Sequence, residues 1–480
     1  MLELPGARAL NRSTPADRAD DFLIIAAWFW VTRRVFTELG VAPNADDLQA
    51  LSQLAPLDQL RGHLAETIVF LHSQPPLFNL LVGVLGKAPG SPTAWLHPLW
   101  VMMGFGIVLA MFGWLRRCNV PRVWAHVAVL VFGFNPSLVV YENFLSYTYG
   151  EAFCVLLGLI AFALTSRTPA VGTGIYACAA TVLVGVRALF HPAWAGLVVA
   201  AQWPRAMAGS GSMRRWLLAP VVAGMLLVIK NGLMFGVWTT SSWFGMNVAR
   251  LAAAAVGGDA ENLAAEGTVS RTFLVTGFQP LDRYPPAMVE EQVRAVTARL
   301  GSHAALIEPS KNNGLPNLNN AGYIGVSRRL WRDSFRAFSA RPIGTCRAIA
   351  GGLRRHFLPT TASNPFIRDN LDRLEALENL YRRALYPAGS SMLVISWYGF
   401  AIASSVWIWA RRASWPEPFG DAAGYLAVTV IWVVAISSVT TFGDNNRFRF
   451  CLDPAVFSWN VGVLGTILCS TTHPSVDGHL

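Results

Sequence analysis

Long apolar stretches alternate with short polar ones along most of the chain. A helix needs about 20 apolar residues to cross the hydrocarbon core of a bilayer. Ten stretches approach or reach that length, and the short one at 190–203 is consistent with a partial span. They lie at 20–38, 95–115, 124–141, 144–165, 170–187, 190–203, 216–236, 389–410, 421–440 and 454–470. The pattern predicts an all-α polytopic membrane protein with about ten transmembrane helices.

Arginines follow every second span, and their positions predict the orientation. The basic clusters lie at 8–18, 116–122, 167, 205–215 and 411–412. Because cytoplasmic loops carry an excess of basic residues, both termini are predicted to lie in the cytoplasm. Arg33 and Arg34, near the outer end of the first span, break this pattern. We interpret them as anchors whose side chains reach the headgroup region.

This orientation divides the chain into three parts. They are an N-terminal transmembrane module, an outer domain and the C-terminal transmembrane helices, at 1–236 (with a first outer loop at 39–94), 237–388 and 389–480. Within the outer domain, apolar residues recur at helical spacing at 289–300, 324–338 and 371–381. The outer domain is therefore predicted to be a mainly helical cap.

The composition supports a membrane protein, and the positions of the charged residues indicate its topology. Hydrophobic residues make up 53% of the chain, charged residues 14%, and mean hydropathy is +0.40, whereas soluble proteins carry about a quarter charged residues. The net charge of +10 comes almost entirely from arginines between the apolar stretches, so it indicates topology and not nucleic-acid binding. The six cysteines contain no CxxC pair and predict neither a metal site nor a disulfide framework.

Polar residues of an unusual kind gather in the predicted outer segments. Such residues at membrane depth are costly and are candidates for function. Those in the first outer loop, at the outer ends of spans and in the last outer loop are Asp46, Asp47, Asp58, His72, Gln74, Glu142, Arg187, His191, Lys230, Arg447 and Arg449. Each has a structural alternative, since the carboxylates could be solvated loop residues and the cations could bind lipid headgroups. The group as a whole predicts an outward-facing site.

Several motifs in these segments resemble those of the C-type (GT-C) membrane glycosyltransferases, which take a sugar from a polyprenyl-phosphate carrier. Protein O-mannosyltransferases and aminoarabinose transferases are relatives. The resemblance covers most of the chain in the right order. The motifs are HSQPPLFNLLVGVLGK at 72–87, YENFLSYTYGEAF at 141–153, VRALFHPAW at 186–194, KNGLMFGVWTTSSWFGMN at 230–247, NNAGYIGVSRRLWRDSFRAFSARP at 319–342 and FGDNNRFRFCLDP at 442–454.

The resemblance implies a GT-C-like bundle in a bacterial inner membrane, with an extracytoplasmic active site and inversion at the sugar C1. A carboxylate must take the acceptor proton, and cations must stabilise the phosphate as its charge grows. The candidate base is Asp46 or Asp47, and Asp58 is the third candidate. The family often places an acidic residue closer to the end of the first span, and this departure leaves the base open. Candidates for binding the donor phosphate are Arg187, Lys230, Arg447 and Arg449, while His72 and Gln74 would orient sugar or phosphate and Glu142 and His191 are further substrate-binding candidates.

The implied partners are a polyprenyl-phosphate-linked sugar donor, membrane lipids and a glycan, lipid or protein acceptor, with no nucleic acid. Some relatives use a divalent cation, although no metal-ligand spacing in this sequence requires one. Two alternative functions remain. One is a transporter or flippase for lipid-linked saccharides, for which no inverted repeat is evident. The other is a non-catalytic assembly protein of the same fold.

Overall fold

The computed structural model describes residues 15–43, 47–208, 211–362 and 367–472. Within these residues all regular structure is helical and no strand occurs. The all-α prediction is therefore confirmed.

The described residues up to Phe235 form twelve α-helices. They are α1 (Pro15–Glu38), α2 (Asp47–Ala50), α3 (Leu57–Gly62), α4 (Leu64–Val69), α5 (Leu77–Leu85), α6 (Pro92–Arg117), α7 (Arg122–Gly133), α8 (Pro136–Phe144), α9 (Tyr147–Leu164), α10 (Pro169–Val186), α11 (Pro192–Ala208) and α12 (Gly211–Phe235).

Nine helices follow in the described part of the predicted cap, and four in the C-terminal part. The cap helices are α13 (Phe244–Val256), α14 (Ala260–Ala265), α15 (Arg271–Val275), α16 (Pro286–Leu300), α17 (Ala304–Ile307), α18 (Gly322–Ala340), α19 (Pro342–His356), α20 (Arg368–Arg373) and α21 (Glu375–Leu385). The C-terminal helices are α22 (Met392–Ala410), α23 (Phe419–Thr440), α24 (Asn445–Phe450) and α25 (Asp453–Thr472).

Six described helices are long and apolar enough to cross a membrane: α6, α9, α10, α12, α22 and α23. The bent pair formed by α7 and α8 would make a seventh if it is one span. Three further predicted spans correspond to helices that fall outside these six. Of these, α1 carries Arg33, Arg34 and Glu38, α11 is 17 residues long, and α25 contains Asp453 and Asn460. The six helices indicate an integral membrane protein.

The predicted span at 124–141 is interrupted by a sharp bend. Helix α7 and helix α8 meet at 53°. Asn135 caps α8 by accepting a hydrogen bond from the Ser137 amide at 3.0 Å, and Pro136 follows at the first helical position. Because proline has no N–H group and restricts the residue before it, this sequence starts a new helix at the bend. All nine residues of α8 are buried.

The spans leave apolar surface exposed, as expected for contact with lipid. On α12, Val222, Leu226 and Leu233 are among the exposed large side chains. Such a surface would be unfavourable in water but matches the acyl chains of a bilayer. The inner faces of the spans pack into one large apolar core.

The cap has an apolar core of its own, which contains Trp243, Met246, Phe273 and Tyr323. The predicted helices at 289–300 and 324–338 are confirmed as α16 and α18. The region at 371–381 is divided at Leu374 into α20 and α21. Side chains after α19, such as Phe357 and Leu374, join the core of the spans instead. The cap is thus tied to the membrane part through its last segment.

Candidate functional site

The segments predicted to lie outside the membrane converge on one cavity of about 950 Å³, the main cavity. Its walls come from the first outer loop, the start of α9, the turn between α10 and α11, the cap and the end of α23. Its lining includes Leu51, Ser52, Gln53, Gln74, Tyr147, Arg187, His191, Arg250, Phe335, Phe338, Trp432, Ile436, Val439, Asp444, Arg447 and Phe448.

Arg187 lies in this wall in a fixed orientation. Its Nη1 atom is 2.8 Å from Glu151 Oε2, and its side chain is only 6% exposed. The guanidinium carbon lies 4.1 Å from the ring centre of Phe448 and 5.1 Å from that of Tyr147. An aromatic ring on a guanidinium face restricts its rotation and adds cation–π attraction. Arg187 is therefore held by a carboxylate and two rings.

Arg447 lines the same cavity but has fewer partners. Its Nε atom is buried, and no hydrogen-bond acceptor for it occurs in the described part of the chain. A buried donor without a partner is costly, so this group is suited to an acceptor that arrives with a ligand. A third arginine of the wall, Arg250, lies 3.8 Å from Asp444.

Apolar side chains form another part of the main cavity wall. Phe335 and Phe338 come from α18, and Trp432, Ile436 and Val439 from α23. Three of these five side chains therefore belong to a helix that is long and apolar enough to cross a membrane. Phe335 is 49% exposed and Val439 is 42% exposed, so apolar surface is free to meet a ligand. Guanidinium groups and an apolar wall in one cavity suit an amphiphile with an anionic head.

The structure brings four of the predicted residues to the main cavity: Gln74, Arg187, His191 and Arg447. The Oε1 atom of Gln74 is buried without a partner within the described residues. His191 Nδ1 accepts a hydrogen bond from the Ala193 amide at 3.2 Å. Gln74 therefore offers a free acceptor to a ligand.

His72 and Lys230 are not among the residues that line the main cavity, but both make hydrogen bonds to segments that form its walls. The His72 Nδ1 atom is 2.8 Å from Ser242 Oγ, and its backbone N–H donates to Asn319 Oδ1 at 2.9 Å. Burial, with a smaller contribution from Lys230, lowers the pKa of His72 to about 3. The ring is therefore neutral at physiological pH. Lys230 Nζ donates a hydrogen bond to the Leu71 carbonyl.

Glu142 and Arg449 are placed in internal ion pairs. Glu142 lies 2.8 Å from Arg33 and accepts a hydrogen bond from Tyr149 at 3.0 Å. Arg33 is thus a buried partner of Glu142 and not the headgroup anchor expected from sequence, whereas Arg34 is exposed and pairs with Glu38. Arg449 is buried with its Nε atom 3.4 Å from Asp453.

The three candidate bases lie in or next to one short segment. Asp46 falls outside the described residues, and Asp47 begins α2, of whose first side chain nothing is described. The residues just after α2, Leu51 to Gln53, line the main cavity. Asp58 is exposed on α3 and lines a second cavity of about 750 Å³, together with Arg61 and Lys311.

Glu151 is the residue that sequence reasoning missed. It lies in the first turns of α9, is 1% exposed and is the partner of Arg187. Its Oε1 atom has no hydrogen-bond partner within the described residues. The available signal was a lone carboxylate inside an apolar stretch, which is costly unless it is paired.

Within the described residues, no group of three or more His, Cys, Asp or Glu side chains is arranged to hold a metal ion. The lining of the main cavity contains guanidinium, amide, hydroxyl and imidazole groups, one carboxylate and apolar side chains. Comparison of the chain with family models, curated proteins and solved structures gives no match.

Proposed function

We propose that the chain is a membrane glycosyltransferase that transfers a sugar from a polyprenyl-phosphate carrier to an extracytoplasmic acceptor. The supporting observation is the main cavity, where Arg187 and the partly unpaired Arg447 stand in one cavity with apolar side chains of the span α23. A polyprenyl-phosphate sugar has the same division, with an anionic phosphate between a polar sugar and an apolar chain. The proposal includes a GT-C-like bundle that lies in a bacterial inner membrane and has both termini in the cytoplasm.

In this proposal the phosphate binds between Arg187 and Arg447. Arginine donates paired hydrogen bonds to phosphate oxygens from a planar group. The ion pair with Glu151 uses one side of the Arg187 guanidinium and fixes its direction. Arg447 supplies donors that no described residue uses. The polyprenyl chain would lie along the wall formed by Phe335, Trp432 and Ile436.

The proposed reaction is a single displacement at the sugar C1. The acceptor hydroxyl oxygen forms a bond to C1, while the bond from C1 to the phosphate oxygen breaks and its electron pair goes to the phosphate. The hydroxyl proton goes to Asp46 or Asp47, at the start of the segment whose next residues line the cavity. The two arginines stabilise the charge that grows on the leaving phosphate.

The test is a deletion strain whose envelope glycans and lipid-linked sugars are analysed by mass spectrometry. Wild-type protein should restore a glycan product and lower the level of its lipid-linked precursor. The double variant Asp46→Asn/Asp47→Asn should be expressed normally and restore neither, because general-base catalysis contributes ~10²–10⁴ in rate. Asp372→Asn, at an exposed cap residue, is the matched control. If the double variant restored the glycan product fully, neither Asp46 nor Asp47 would be the base. The protein would then have a transport or assembly role, or another carboxylate such as Asp58 would be the base.

A further inference from the structure

The first outer loop is held by two lysines. The chain contains three lysines against a large number of arginines. Lys87 is exposed. Lys230, from α12, donates to the carbonyl of Leu71, and Lys311, from the cap, donates to the carbonyl of Leu51 at 2.7 Å. Two of three lysines thus hold backbone carbonyls of the same loop.

The segment 47–58 at the start of this loop is fixed from two sides. On the cap side, Asn313 Nδ2 donates to the Gln49 carbonyl at 3.3 Å, beside the contact from Lys311. From α5, Asn79 accepts from the Ala55 amide at 2.8 Å and donates to the Gln53 carbonyl at 3.0 Å. Side chains therefore provide the partners that regular structure would otherwise give to these backbone groups.

The segment 47–58 is a wall shared by two cavities. Leu51 to Gln53 line the main cavity. Leu48, Gln49 and the residues from Ala55 to Asp58 line the second cavity, which Lys311 also lines. The carbonyl that Lys311 binds thus belongs to a residue of the main cavity wall.

Lysine is suited to this contact. The Lys311 side chain is buried, and its compact ammonium reaches the Leu51 carbonyl at 2.7 Å. Burial lowers the pKa of Lys311 to about 8, so most molecules still carry the charge at neutral pH. A charge-assisted hydrogen bond is stronger than a neutral one.

We propose that Lys311 is a positioning residue, whose ammonium ties the segment 47–58 to the cap and so sets the position of Leu51–Gln53 in the wall of the main cavity. This inference rests on the proposed glycosyltransferase function. It assigns the cap a role in the geometry of transfer, although Lys311 does not line the main cavity among the described residues.

The experiment compares Lys311→Met and Lys311→Arg with the control Lys87→Met in the purified full-length protein. Hydrogen exchange should become at least ~10-fold faster at the amides of 49–55 in Lys311→Met and remain unchanged in α18, because the tie to the cap is lost while the cap core persists. Lys311→Arg should recover part of the protection. Exchange at 49–55 equal to that of wild type would overturn the inference.

A second measurement separates positioning from general damage. Undecaprenyl phosphate should bind to Lys311→Met with a Kd within ~3-fold of wild type, while restoration of the glycan product in the deletion strain falls at least ~10-fold. Equal losses of binding and product, or an unchanged product level, would contradict a positioning role. If wild type and Lys87→Met also failed to bind undecaprenyl phosphate, the proposed donor would be wrong, and hydrogen exchange would still decide whether Lys311 holds the loop.

Discussion

Arg447 and Arg449 lie two residues apart in α24 but face different surroundings. Arg447 is part of the main cavity wall, whereas Arg449 is not among the residues that line it. Arg449 is buried and forms an ion pair with Asp453. The Tyr398 hydroxyl donates a hydrogen bond to the same carboxylate at 2.6 Å. The sequence makes both residues equal candidates for phosphate binding, and the structure distinguishes them.

Arg447→Ala should weaken binding of undecaprenyl phosphate by roughly 10- to 150-fold, because one charge-assisted contact is worth ~1.5–3 kcal/mol. Its thermal stability should stay close to that of wild type. Arg449→Ala should instead lower the free energy of unfolding by ~1–3 kcal/mol, since it removes the counter-charge from the Asp453 carboxylate, which is 19% exposed and keeps its hydrogen bond from Tyr398. Binding assays and thermal unfolding of both purified variants check this, and a loss of affinity confined to Arg449→Ala would reverse the assignment.

At the scale of helices, α13 and α18 make the closest packing in the cap. Gly245 stands at the contact, where its N–H donates to Ser327 Oγ at 3.0 Å. A Cβ atom at this position would lie 1.9 Å from the Ser327 carbonyl oxygen. Since this oxygen belongs to the backbone of a helix, relief requires the two helices to separate. The shape of the cap wall beside the main cavity depends on this glycine.

Gly245→Ala should destabilise the cap by ~1–3 kcal/mol, the usual cost of overpacking. The matched control is Gly174→Ala in α10, where no atom lies within 4 Å of the added Cβ, and where alanine should be neutral or stabilise the helix by ~0.5–1 kcal/mol. Thermal unfolding and hydrogen exchange in α13 measure both effects. Equal stability of the two variants would show that the helices can separate at little cost.

At the scale of the whole molecule, the segments predicted to lie outside meet at one end of the fold. Residues of the first outer loop, the cap and the last outer loop share the main cavity. This convergence agrees with the orientation inferred from the arginine clusters, in which all three lie on the same side of the membrane.

Cysteine labelling checks which side that is. In a background where the exposed Cys178 and Cys346 are replaced by serine, Ser302→Cys in the cap should react with a membrane-impermeant maleimide in intact spheroplasts. Arg215→Cys, near the start of α12, should react only after permeabilisation. Labelling of Arg215→Cys alone in intact cells would place the main cavity on the cytoplasmic side.

Much of the helical framework could be predicted because apolar length and spacing act locally. Helix α16 and helix α18 follow their spacing closely, and the bend before α8 follows from Asn135 and Pro136. The ion pairs could not be predicted in this way. The pairing of Arg187 with Glu151 depends on how α9 and the following helix α10 pack, and no local pattern specifies which carboxylate meets which arginine. The sequence therefore predicted which segments meet at the main cavity better than which side chains line it.

The pairing of Arg33 with Glu142 has a consequence for the synthesis of the protein. The two residues are 109 positions apart, so α1 leaves the ribosome well before its carboxylate partner has been made. An isolated helix with Arg33 and Arg34 is costly to release into lipid. We therefore expect α1 to remain in the translocon or at the bilayer surface during translation, until α8 emerges and pairs with Arg33. On this expectation, a chain truncated before Glu142 would expose the unmatched arginine to membrane quality control.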